Sequence, residues 1–132
     1  MKEILLTGAT GYIGSHTAVE LLKAGEKVVI VDDLSNSEAS VIDRIAQITE
    51  IRPDFYQGDV ADHAFLERVF SAHDFAAVMH FAGFKAVGES VEKPLAYYRN
   101  NLDTTLTLLE RSSTITTCSP AFKSSTAVCE PI

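Results

Sequence analysis

The opening of the chain constrains its fold more than any other stretch. Ile4-Leu5-Leu6 is an apolar run of strand type that leads directly into Thr7-Gly8-Ala9-Thr10-Gly11-Tyr12-Ile13-Gly14, with glycines spaced G-x-x-G-x-x-G. From Ile13 the positions Thr17, Leu21 and Ala24 recur at helical spacing, and Gly25 supplies a stop. Glycine spacing alone fits a flexible loop equally well. The strand before it and the helix after it decide for a dinucleotide-binding turn. In such a turn Gly8 permits the tight exit from the strand. Gly11 leaves no side chain between the backbone and a pyrophosphate, and Gly14 lets the helix pack closely. The amides of Tyr12 and Ile13 then face the phosphates from the positive end of the helix.

The rest of the chain repeats the alternation. Val28-Val29-Ile30-Val31 is apolar on both faces, as a parallel strand covered by helices must be. Ser35-Asn36-Ser37 reads as a turn and helix N-cap, followed by a helix with Ile42, Ile45 and Ile48 in its core. A short strand over 53–57 stops at Gly58, and Asp62 caps a helix that holds Phe65, Leu66, Val69 and Phe70. A fourth strand is predicted over 75–81. A last helix runs over 94–111, with Pro94 in its first turn and Val91, Leu95, Tyr98, Leu102, Leu106 and Leu109 stepping by three or four. Four strand-helix units predict an α/β fold, a Rossmann-type doubly wound parallel sheet with right-handed crossovers and helices on both faces. Residues 1–111 form the dinucleotide-binding domain. Residues 112–132 are a divergent Ser/Thr-rich tail with Pro120 where a fifth strand is due, which leaves the sheet incomplete at its C-terminal edge.

Asp32 ends the second strand, eighteen positions after Gly14. A carboxylate there accepts both ribose hydroxyls of an adenosine and repels a 2′-phosphate, which favours NAD over NADP. Asp33 is its nearest rival for the role. The formal net charge of −7 argues against nucleic acid and anionic membranes as partners. Cys118 and Cys129 form no C-x-x-C pair, and no secretory or spanning segment is evident, so a reducing, cytoplasmic location is expected. His16, His63 and His73 have no partner at metal-ligand spacing, and no metal site is expected.

The stretches TGATGYIGSHTAVELL, VVIVDDLSNS, FYQGDV and HFAGFKAVGESVEKPLAYYRNNL together resemble the N-terminal half of UDP-glucose 4-epimerases, which are extended short-chain dehydrogenase/reductases. The segment from His80 to Asn101 is the more particular to that family, which serves galactose and nucleotide-sugar metabolism. The resemblance implies NAD as cofactor. It implies that Tyr12 and Ile13 bind the pyrophosphate, and that Asp32, Asp33, Leu34, Ser35, Asn36 and Ser37 surround the adenosine ribose. Asp59 and Val60 would contact adenine. Phe81, Ala82, Gly83, Phe84 and Lys85 would lie along the cofactor, and Asn100 would reach it from its helix. Asp33 and Phe84 stand where the family often has Asn and Leu.

Past about Glu110 the resemblance weakens. Counted without gaps, Ser125 falls on the family's catalytic serine, which hydrogen-bonds the reacting sugar hydroxyl. The family's acid-base couple is Tyr-x-x-x-Lys, in which the lysine lowers the tyrosine pKa. Four positions after Tyr12, Tyr56, Tyr97 and Tyr98 stand His16, Val60, Asn101 and Leu102, so the couple is absent. A divergent tail without a substrate domain is expected, as a frameshift or truncated gene would leave. The expectation is an NAD-binding portion of an epimerase with negligible activity alone, meeting a UDP-sugar only if the missing half is supplied. The alternatives are a non-enzymatic module that holds NAD or a partner chain, or part of another NAD-dependent sugar-nucleotide epimerase or dehydratase. An open sheet edge and uncovered apolar helix faces predict a homodimer or a marginally stable monomer.

Overall fold

A computed structural model of the chain describes residues 2–112. Ser125, the two cysteines and the fifth-strand region around Pro120 lie outside them. The element order is β1 (Glu3–Thr7), α1 (Tyr12–Lys23), β2 (Lys27–Asp32), α2 (Ser40–Thr49), β3 (Asp54–Gln57), α3 (His63–Ala72), β4 (Phe75–His80), α4 (Val87–Glu92) and α5 (Pro94–Ser112). The four strands are all parallel, in the order β3-β2-β1-β4. Helix α1 packs on α2, and α3 packs on α5, which gives the helical layers of a doubly wound Rossmann-type sheet. The sheet is open, and β4 is an edge strand among the described residues.

The central strands β1 and β2 carry Leu5, Leu6, Ile30 and Val31 with no measurable exposure, because helices cover both faces. Ile42 and Ile45 of α2 and Leu66 and Val69 of α3 complete the core. Asp62 caps α3 as its position predicts, accepting the Phe65 amide at 3.1 Å. At the other end of α1, Gly25 donates to the Leu22 carbonyl and Glu26 to the Leu21 carbonyl, a Schellman closure just past the last helical turn.

Four local expectations are corrected. The buried face of α1 is Gly14, Ala18 and Leu22, one position on from the stripe through Ile13 and Thr17, because small residues let α1 approach the sheet. Ile48 is 59% exposed in the last turn of α2, while Ile42 and Ile45 are buried. Helix α2 starts at Ser40 with Ala39 as N-cap, since the Ser35-Asn36-Ser37 turn is occupied elsewhere. The largest correction concerns α5. Its buried positions are Tyr97, Thr104, Thr107, Leu108 and Ser112, while Leu95, Tyr98, Leu102 and Leu106 are exposed by more than half. Periodicity located this amphipathic stripe but cannot say which face meets the protein's own sheet. The short helix α4 has no signal in the sequence pattern.

Candidate functional site

Sheet order reverses between β1 and β4, and the chain exits from the C-terminal ends of β1, β2 and β4 converge there, the position where open α/β sheets bind ligands. A cavity of about 310 Å³ opens at this point. The ladder continues beyond the strand ends into its walls. Gly8 N–H donates to Val31 O at 2.8 Å, Phe81 N–H to Thr7 O at 2.9 Å, and Gly58 N–H to Asp32 O at 3.0 Å.

The first wall is the glycine loop. Gly8 has φ +69°, and a Cβ there would lie 2.5 Å from the Ala82 nitrogen, so both conformation and space demand glycine. A Cβ on Gly14 would lie 2.6 Å from the Ala9 Cα, so α1 is packed against its own loop. Gly11 lines the cavity and is the N-cap of α1, with no side chain capping the helix. The first turn also lacks an acidic side chain. The helix N-terminus therefore presents unneutralised positive partial charge beside Gly11, Tyr12, Ile13 and Gly14, all of which line the cavity. Tyr12 is 81% exposed at its rim.

The end of β2 locks onto this loop. Asp32 is buried, and its Oδ2 accepts the Thr10 amide at 3.1 Å while Oδ1 accepts the Leu34 amide at 2.9 Å. Each carboxylate oxygen retains acceptor capacity toward the cavity that Asp32 lines. Asp33 is exposed and accepts the Ser35 amide through Oδ1 at 2.9 Å. Ser37 is hydrogen-bonded to the Thr10 hydroxyl. Asp33, Ser35, Asn36 and Ser37 line the cavity beside Asp32, as do Asp59 and Val60 after β3. Leu34 stands apart. It has φ +61°, its contribution is the amide given to Asp32, and its side chain does not line the cavity.

The second wall follows β4. Phe81, Ala82, Gly83, Phe84 and Lys85 line the cavity, with Asn100 and Thr104 reaching it from α5. His80 lies behind this wall. Its Nδ1 is 2.6 Å from Thr7 Oγ1, and its Nε2 is 3.3 Å from Thr105 Oγ1. Burial, and then the Lys85 charge, push the His80 imidazole below its ordinary pKa. A neutral ring that donates through one nitrogen and accepts through the other fits between two hydroxyls. Asn101 clamps the segment to α5 by bonding both the amide and the carbonyl of Phe84, at 2.8 and 3.1 Å.

Tyr97 packs its ring on Phe84 and donates its hydroxyl to Glu89 at 2.7 Å. That bond to Glu89 raises the phenol pKa, which is the wrong direction for a base and right for a packing tyrosine. The motif reading passes over Thr10, Val31, Gly58, Thr104 and Asn101. Only Thr104, four positions after Asn100, carried a readable cue in helical spacing.

A family model described as GDP-mannose 4,6 dehydratase matches residues 5–128. A UDP-glucose 4-epimerase of Yersinia pestis is 55% identical over 107 residues, covering 81% of this chain and 32% of that protein. A UDP-glucose 4-epimerase of Neisseria meningitidis serogroup B is 48% identical over 128 residues, covering 97% of this chain and 38% of that one. The crystal structure of a UDP-glucose 4-epimerase from Bifidobacterium longum, in complex with NAD+ and UDP, superposes with TM-score 0.84 at 46% identity, over 86% of this chain and 34% of that chain. The chain thus spans about a third of the length of the relatives it matches.

Proposed function

Because the chain belongs to the family described as GDP-mannose 4,6 dehydratase, we propose that the switch-point cavity holds NAD, as the dinucleotide-binding portion of a UDP-glucose/UDP-galactose 4-epimerase. The observation that carries this reading is the convergence, on one cavity, of the uncapped N-terminus of α1, the buried Asp32 carboxylate and Lys85. The helix N-terminus supplies amide donors and positive potential for a pyrophosphate where Gly11 leaves room. Asp32 accepts ribose hydroxyls, and the acidic pair Asp32 and Asp33 repels a 2′-phosphate. Lys85 and Asn100 meet the cofactor from the opposite wall. Bound there, NAD supplies a hydride acceptor that returns its hydride. The polypeptide binds it, orients it and selects it against NADP.

The sequence has no Tyr-x-x-x-Lys couple, so proton transfer to and from a sugar hydroxyl needs groups this chain does not offer. We expect negligible conversion of UDP-galactose by the purified 132-residue chain. Ser125, which the resemblance sets on the family's catalytic serine, lies outside the described residues. We assign the exposed stripe of Leu95, Tyr98, Leu102 and Leu106, extended by Val87 and Val91 on α4, to contact with a second copy of the chain. Calorimetric titration tests the cofactor reading. NAD+ should bind saturably and NADP+ about tenfold more weakly or worse; equal affinities would overturn the role of Asp32.

A further inference from the structure

We propose that Asn101 is a positioning residue for the dinucleotide, holding the 81–85 segment so that Lys85 keeps its place in the cavity wall. The proposal rests on the NAD reading above. Asn101 does not line the cavity; its neighbour Asn100 does. It acts through Phe84. The Phe84 amide donates to Asn101 Oδ1 at 2.8 Å, and Asn101 Nδ2 donates to the Phe84 carbonyl at 3.1 Å. At neutral pH an ionised carboxylate offers acceptors alone and Lys or Arg donors alone, whereas a primary amide presents one of each at this spacing. The Phe84 N–H can only donate and its carbonyl only accept, which fixes which end of the Asn101 amide is the oxygen; Asn100 Nδ2 donates to the same Oδ1 at 3.1 Å. A Cβ on Gly83 would come 3.3 Å from Oδ1, so the segment lies close against the clamp.

The segment is thus pinned at two points. Its start is tied to β1, where Phe81 and Ala82 donate to the Thr7 carbonyl and hydroxyl at 2.9 and 3.4 Å. Its end is tied to α5 at Phe84, and Lys85 is the next residue. Lys85 is exposed, so its own packing does not place its ammonium group; the backbone it springs from does. Without the clamp, the Phe84 amide and carbonyl turn to water, and Lys85 must be ordered again each time an anion binds.

The test is a double-mutant cycle on NAD+ affinity in the full chain, using Asn101→Ala, Lys85→Met and the pair. Asn101→Ala should weaken binding about tenfold in the wild-type background and less than twofold when Lys85 is already Met. Asn101→Gln, which keeps the amide group, should recover part of the loss. In the ligand-free wild type, the Phe84 amide should exchange with solvent well below its unstructured rate. Independent, multiplying effects in the cycle, or binding by Asn101→Ala within twofold of wild type, would overturn the role. An unprotected Phe84 amide with normal NAD+ binding would refute the clamp alone. No NAD+ binding by a folded wild-type chain would refute the dinucleotide reading and this role with it.

Discussion

The wall of the cavity made by β1, β2 and α1 is shaped by close-packed backbone locked to one buried carboxylate, whereas the wall made by the β4 exit and α5 is held by side chains reaching across from other segments. In the first, Gly8 and Gly14 leave no room for a Cβ, and a buried carboxylate binds two amides across the loop. In the second, the chain runs on from β4 and is fixed by His80, Asn101 and Tyr97, each reaching a partner on another segment. The difference teaches where rigidity comes from. The first wall is determined by what cannot fit, and the second by hydrogen bonds that single substitutions remove without creating a clash.

Substitutions should separate the walls in a graded way. Gly14→Val on the first wall should have the largest effect, a loss of more than about 3 kcal/mol in urea unfolding, because its Cβ would meet the Ala9 backbone. A cooperative transition at the wild-type midpoint would break the contrast. Asp32→Asn should come next. It loses a charge-assisted acceptor for the Thr10 and Leu34 amides, about 1.5–3 kcal/mol, and should bring the NAD+ and NADP+ affinities together. An unchanged preference would move the selectivity elsewhere.

On the second wall, His80 should make stability depend on pH. Its folded pKa is lowered by burial and by Lys85, from an ordinary value of 6.5. Below that value the unfolded chain takes up a proton that the folded chain refuses. The stabilisation is therefore full above about pH 6.5 and declines as pH falls toward the folded pKa. His80→Gln should flatten the decline in melting temperature between pH 7 and pH 5, and an unaltered slope would assign it to other groups. Leu102→Lys on the exposed face of α5 should disturb both walls least. Its expected effect is a shift from dimer to monomer in sedimentation equilibrium, with NAD+ affinity kept within about twofold.

The same contrast explains what was legible in the sequence. The first wall could be read because its constraints are local: glycines at fixed offsets, a strand before them, and an acid at the next strand's end. The parallel order of the sheet followed from the alternation of apolar runs. The second wall could be read as a set of residues only through family resemblance, which placed Phe81 to Lys85 and Asn100 at the cofactor; the cavity brings these residues together with the glycine loop. Its supports were not readable. Thr7 and His80 are 73 positions apart in sequence, and nothing near either residue announces the other. Asn101 looks like any polar helix residue until the Phe84 backbone is seen against it. The stripe on α5 illustrates a further limit. Its period was plain, yet the buried side mixes Tyr97 and Leu108 with Thr104, Thr107 and Ser112, while Leu95, Tyr98, Leu102 and Leu106 face out.

The most direct test of the account is calorimetric titration of NAD+ into the wild-type chain and into Gly11→Val. Among the described residues a Cβ at Gly11 comes within 4 Å of the Gly8 carbonyl alone, at 3.2 Å, which that oxygen relieves by giving a few tenths of an ångström, while the isopropyl group occupies the pyrophosphate's approach to the α1 amides. The account predicts saturable binding by the wild type and a loss of about a hundredfold or more in a variant whose far-ultraviolet spectrum and unfolding midpoint stay close to wild type. Equal binding by the two folded proteins would contradict it.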